Sequence, residues 1–108
     1  MTSKRAADAK RAVIPRGMDR TKEFIKDWER ENASGRSKMA DAKTVMLLLA
    51  ANEGPLPAQY KDHPLKGDRA GFRACHVQGD LVMIYKLAGK GADEKVIFVR
   101  IGSHAEVY

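Results

Sequence analysis

Apolar positions follow two different periods along this chain. Over residues 19–32, DRTKEFIKDWEREN, Phe24, Ile25 and Trp28 recur at helical spacing with charged side chains between them, the pattern of an amphipathic helix. Asp19 is the expected N-cap. ASGR then breaks the pattern, and a second helix is predicted over 37–52 with Ser37 as its cap. Met39, Ala42, Val45, Met46 and Leu49 form its stripe, widened by Leu47 and Leu48, and Asn52 and Gly54 supply the stop. Two helices joined by so short a turn predict a helical hairpin.

After residue 71 the pattern changes to short β-rich runs. FRACHV (72–77), LVMIYKL (81–87) and KVIFVRI (95–101) are separated by QGD and AGKGAD, and such short connections predict an antiparallel meander. HAEVY is expected to extend the last strand or to add a short one. Upstream, AVIP (12–15) predicts a first strand, with Pro15 tolerated only at an edge or an end. Between hairpin and meander, residues 54–71 carry three prolines and three glycines and form a long loop. A loop of that length in a small domain is functional or mobile rather than a passive link. The predicted fold is α+β: an N-terminal strand and a two-helix hairpin packed on one face of a twisted, mainly antiparallel sheet of four to five strands.

Composition narrows the class. With 108 residues the chain is one domain, expected over 12–108, preceded by a flexible basic tail over 1–11 that sets Lys4, Arg5, Lys10 and Arg11 against Asp8 and has little to bury. No apolar run approaches the ~18 residues of a membrane-spanning helix, and the start lacks the apolar centre of a signal peptide, so a soluble, cytoplasmic protein is expected. Cys75 is the single cysteine, which excludes an intramolecular disulfide. The formal net charge of +6 points to a polyanionic partner, nucleic acid foremost, an acidic protein second.

The candidate chemistry lies in the second half. His63 sits in the long loop, His76 at a strand end and His104 after the last strand. Singly, each is better explained by a surface or structural role than a catalytic one; a meander, however, brings strand ends and the feeding loop toward one patch. No HxH, HxxxH or CxxC spacing is present, and Cys75 and His76, being adjacent on a strand, point to opposite faces, so neither metal nor other cofactor is expected. Cys75 is expected to face the core, where a thiol is inert. Lys61, Lys66, Arg69, Arg73, Lys86 and Arg100 surround the histidines in sequence, which favours phosphate chemistry. RNA supplies its own nucleophile, the 2′-hydroxyl. The protein then has only to align it, take its proton, protonate the leaving 5′-oxygen and stabilise the charged phosphate. Histidine suits the proton steps and arginine the phosphate. A terminal ring such as Tyr108 suits base stacking.

The segments GPLPAQYKDHPLKGDRAGFRACHVQGDLVMIYKL and VIFVRIGSHAEVY resemble the YafQ branch of the RelE/ParE toxin superfamily, the toxins of bacterial type II toxin–antitoxin pairs. The resemblance is strong over 54–108; the hairpin agrees in layout only. It implies a ribosome-dependent mRNA endonuclease acting in the ribosomal A site. Its partners would be mRNA, the ribosome and a cognate, acidic antitoxin, the pair binding operator DNA. By position it assigns His63, His76, Asp80 and His104 to acid/base and positioning roles, Arg100 to the scissile phosphate and Tyr108 to stacking on a base. Lys61 and Lys66 are expected to hold RNA phosphates. One position departs: Ala74 stands where the family usually carries Asp or Glu, leaving a weakened or inactive nuclease as one alternative. A gyrase-inhibiting ParE-like toxin and an RNA-binding domain without chemistry are the others.

Overall fold

The structure, a computed structural model, describes residues 13–108; the expected basic tail over 1–11, and Ala12, lie outside the described residues. The predicted first strand is displaced. Residues 13–16 form no regular element, and the strand β1 is Gly17–Arg20 instead. Pro15 offers no N–H to a ladder, and Arg16 is taken by the helical layer. Its backbone N–H donates to Ala50 O, its Nη1 to Leu49 O at 3.1 Å, and its Nε to Glu94 at 2.9 Å.

The hairpin forms as predicted with shifted ends: α1 is Lys22–Ser34 and α2 is Met39–Ala51. Thr21, not Asp19, caps α1, its hydroxyl accepting from the Phe24 N–H; Asp19 lies in β1 and pairs with Lys95. Ser37 does not cap α2 either. Its hydroxyl turns to Glu31, and Lys38 occupies the cap position without a side-chain bond. Gly35 and Asn52 end the two helices in left-handed conformations.

The strands β2 (His63–Pro64), β3 (Arg73–Gln78), β4 (Leu81–Ala88) and β5 (Lys95–Ser103) complete a sheet of order β1-β5-β4-β3-β2. β1 pairs with β5 in parallel; all other pairs are antiparallel. Beyond Arg20, where β1 stops, the open edge of β5 is completed by side chains of the first helix and its cap. Thr21 donates to Val99 O, Asp27 accepts from the Ile101 N–H at 3.1 Å, and Arg30 donates to Ile101 O. These backbone groups would otherwise be orphaned.

Two cores lie on the two faces of the sheet. The helical face buries Phe24, Met39, Ala42, Val45 and Leu49 against Cys75, Met83, Tyr85, Val96, Phe98 and Ile101. The opposite face has a smaller cluster, Ala74, Val82, Ile84 and Val107, with Leu65, Phe72 and Val99 packed on it. Here HAEVY departs from prediction. It forms neither an extension of β5 nor a new strand but a helical turn, α3 (His104–Val107). Ser103 and Glu106 make a capping box, each side chain accepting from the other's backbone N–H. Val107, anchored in the smaller core, pins this turn onto the sheet.

Candidate active site

The face opposite the helices carries a row of three histidines. Strand alternation explains the placement: Cys75 points into the helical core and its neighbours Ala74 and His76 point to the other face. The ring of His76 is 6.5 Å from that of His63 and 5.1 Å from that of His104. His104 and Tyr108, four residues apart on one turn of helix, stack at 4.9 Å and 15°. Asp80, in the β3–β4 turn, places Oδ1 3.4 Å from His104 Nδ1. Lys61 is exposed beside the row, and its charge is among those acting on His76. Six of the eight predicted residues thus share one patch: His63, His76, Asp80, His104, Tyr108 and Lys61. Lys66 is exposed at the start of the 67–69 turn, on the same loop.

Arg100 stands outside the row, beside the terminal turn, with Nη2 3.5 Å from Glu106 O. Its guanidinium grips Asp27 with two bonds, Nε at 2.6 Å and Nη2 at 3.1 Å, so its fork is committed to a buried carboxylate of α1. The sequence pattern marks a basic strand residue but not the acid that reaches it across 73 positions.

The electrostatics separate the histidines. Burial pushes the His76 imidazole below the usual histidine value, helped by the charges of His104, Lys61 and His63 and opposed by Asp80. His63 Nδ1 lies 2.8 Å from Lys61 O. A carbonyl only accepts, so that nitrogen carries the proton and Nε2 is left free to face a substrate. Burial drives the Cys75 thiol up to about 12, which keeps it protonated and inert, as expected for a thiol facing the core. Among the described residues, no group of three or more His, Cys, Asp or Glu is placed to hold a metal ion.

Sequence reasoning missed two supports. Asp62 anchors the segment bearing Lys61 and His63: it accepts from the Tyr85 hydroxyl at 2.6 Å and from Arg73 at 3.0 Å. Arg69 donates to Val107 O at 2.7 Å and lies 5.9 Å from the Tyr108 ring centroid, fastening the terminal turn from the long loop. Neither pairing leaves a local signal, because the partners are far apart in sequence. Ala74 is completely buried beneath that turn, among Val82, Ile84 and Val107. A methyl fills the space where the resemblance implies a carboxylate.

Residues 16–108 match the family model described as the bacterial toxin of the type II toxin–antitoxin system, YafQ. The mRNA interferase toxin YafQ of Escherichia coli K12 is 40% identical over 97 residues, 89% of this chain and 99% of that protein. The crystal structure of YafQ from E. coli BL21(DE3) aligns with a TM-score of 0.77 at 36% identity, covering 86% of this chain and 98% of that one. The E. coli DinJ–YafQ toxin–antitoxin complex gives 0.77 at 38% identity, covering 88% and 99%. A helical hairpin over one face of a five-stranded sheet, with histidines in a row on the other, is therefore the architecture of a toxin of a bacterial type II toxin–antitoxin pair. Within that class the chain belongs to the YafQ family.

Proposed function

We propose that this protein is an endoribonuclease that cuts mRNA in the ribosomal A site by attack of the 2′-hydroxyl on the adjacent phosphate. The observation that carries the reading is the contiguous row His63–His76–His104–Tyr108 with Asp80 at its end. His76, held toward its neutral form, takes the 2′-hydroxyl proton. His104, whose Nδ1 lies 3.4 Å from Asp80 Oδ1, protonates the leaving 5′-oxygen. His63 offers its acceptor nitrogen Nε2 to a substrate hydroxyl, and Lys61 and Lys66 hold the phosphate backbone. Tyr108 stacks a base beside the cut. Every proton moves through a side chain, so the reaction needs no metal. Arg100 holds Asp27 with two bonds and stands outside the row, so no phosphate contact is assigned to it in this reading.

The name of the E. coli relative, an mRNA interferase, supports the activity, and the DinJ–YafQ complex supports a protein antitoxin as partner. In this reading the antitoxin covers the basic surface in the cytoplasm, and the pair binds its operator DNA. The test is a bacterial translation extract in which new mRNA ends are mapped by primer extension. Cuts made by the protein only on translating ribosomes, and lost in His104→Ala, are the expected result. Cuts that persist in His104→Ala, or an inhibition of translation with intact mRNA, overturn it.

A further inference from the structure

Lys61 adopts the left-handed backbone conformation, φ 49° and ψ 43°, two residues before His63. Among the described residues, the other non-glycine with positive φ is Asn52, which caps a helix, where asparagine tolerates it. Lysine gains nothing from this conformation locally, so its surroundings must hold it there. One contact lies before it: the Lys61 N–H donates to Ala58 O at 3.0 Å and closes the turn Ala58–Tyr60. The other lies after it. Asp62 turns to the helical side of the sheet, where one oxygen accepts from the Tyr85 hydroxyl at 2.6 Å and the other from Arg73 at 3.0 Å. Arg73 and Tyr85 stand directly opposite each other on β3 and β4, so both donors belong to one cross-strand pair. Tyr85 is fully buried, and burial with the Asp62 carboxylate beside it pushes the phenol upward, so it stays a donor across the neutral range. The kink that results leaves Lys61 O 2.8 Å from His63 Nδ1.

We propose that Tyr85 and Asp62 are positioning residues of the nuclease: through the Lys61 backbone they hold its carbonyl on His63 Nδ1 and fix the tautomer that leaves Nε2 a bare acceptor. The proposal rests on the nuclease reading above. His63 is exposed, and among the described residues its ring has no other hydrogen-bond partner. Without the carbonyl a neutral imidazole divides between two tautomers, and the form with its proton on Nε2 has no lone pair there for a substrate hydroxyl. The contacts form one line, from the Tyr85 hydroxyl in the helical core to Asp62, to the Lys61 carbonyl, to the imidazole on the opposite face.

The test is nitrogen NMR of the imidazoles in the full-length protein at alkaline pH, where histidines are neutral, read beside mRNA cleavage on translating ribosomes. His63 should show a protonated Nδ1 and a bare Nε2. Tyr85→Phe removes one oxygen and keeps the ring in the core. It should move His63 to a mixture of tautomers and leave His76 and His104 as they were. Cleavage at saturating ribosomes should fall about fivefold, the factor of one net hydrogen bond. Asp62→Ala should do at least as much, whereas Asp62→Asn keeps an oxygen for the Tyr85 hydroxyl and should stay closer to the parent protein. A mixture already present in the parent, a His63 tautomer unchanged in Tyr85→Phe and Asp62→Ala, or a changed tautomer with full cleavage overturns the proposal and leaves the nuclease reading standing. An equal change at all three histidines marks general loosening and overturns it too. If the parent protein makes no cut, the nuclease reading falls, and the positioning role with it.

Discussion

Arg100→Ala separates structural support from phosphate contact. Asp27 is buried with its side chain 4% exposed, and it receives Arg100 twice, Arg30 once and the Ile101 N–H. Burial works against its charge, but these partners outweigh it and hold the carboxyl below the usual value. Breaking a buried pair by removing one partner costs about 3–5 kcal/mol. Arg100 is itself 31% exposed, and Arg30 and the Ile101 N–H remain, which brings the expected loss to about 2–3 kcal/mol. For a domain of this size that is roughly 10–20 °C in melting temperature. The pH dependence has a definite sign. A carboxyl whose folded value is depressed contributes stability that is full above its unfolded value and is lost as pH falls through the folded one. Arg100→Ala should therefore narrow the gap between neutral and acid stability. Thermal and urea melts of Arg100→Ala, Asp27→Asn and the double variant give the coupling; the double variant should lose less than the sum of the singles. Near-native stability in Arg100→Ala, within about 0.5 kcal/mol, together with lost cleavage would refute the reasoning and return Arg100 to the phosphate.

Three further outcomes follow from the terminal turn and the cores. Ser103→Ala removes half of the capping box and should cost about 0.5–2 kcal/mol, with loosened His104 and lower cleavage at saturating mRNA; unchanged cleavage would show that the turn does not position the histidine. Ala74→Glu must displace Val107 from a filled space, so melts should show a loss of about 1–3 kcal/mol and cleavage should fall rather than rise; higher cleavage would instead mean that the missing acid limits the enzyme. Cys75, with its thiol at about 12 and fully buried, should resist alkylation at neutral pH until the protein unfolds, and labelling of the native protein would contradict its placement.

What could be read from the sequence was local or periodic. The hairpin showed in the spacing of Phe24 and Trp28 and in the stripe Met39, Ala42, Val45, Met46 and Leu49, which face the sheet or line its margin; Ile25, Leu47 and Leu48, expected on the same faces, are exposed instead. The meander showed in turn signals and short connections. The clustering of the histidines followed from strand ends and needed no pair contacts. Boundaries failed where two residues compete for one job: Asp19 and Thr21 both suit a cap, and the contacts of Thr21 with Phe24 N and Val99 O decide it. The strand expected at AVIP failed because pairing of Gly17–Arg20 with β5 depends on a partner 78 positions away. The turn α3 was legible and missed: SHAE has the spacing of a capping box, although HAEVY closely follows the β-rich run KVIFVRI. Asp27–Arg100, Asp62–Tyr85 and Arg69–Val107 join distant segments, and no local pattern announces such pairs.

The chemistry of the cut ends tests the central claim most directly. Attack by the 2′-hydroxyl leaves a 2′,3′-cyclic phosphate on the upstream fragment and a 5′-hydroxyl on the downstream one. mRNA cut by this protein on translating ribosomes should yield only those ends, in an amount that falls with His76→Ala and with His104→Ala. Downstream fragments bearing a 5′-phosphate would show that water is the nucleophile and would contradict the assignment of the histidine row.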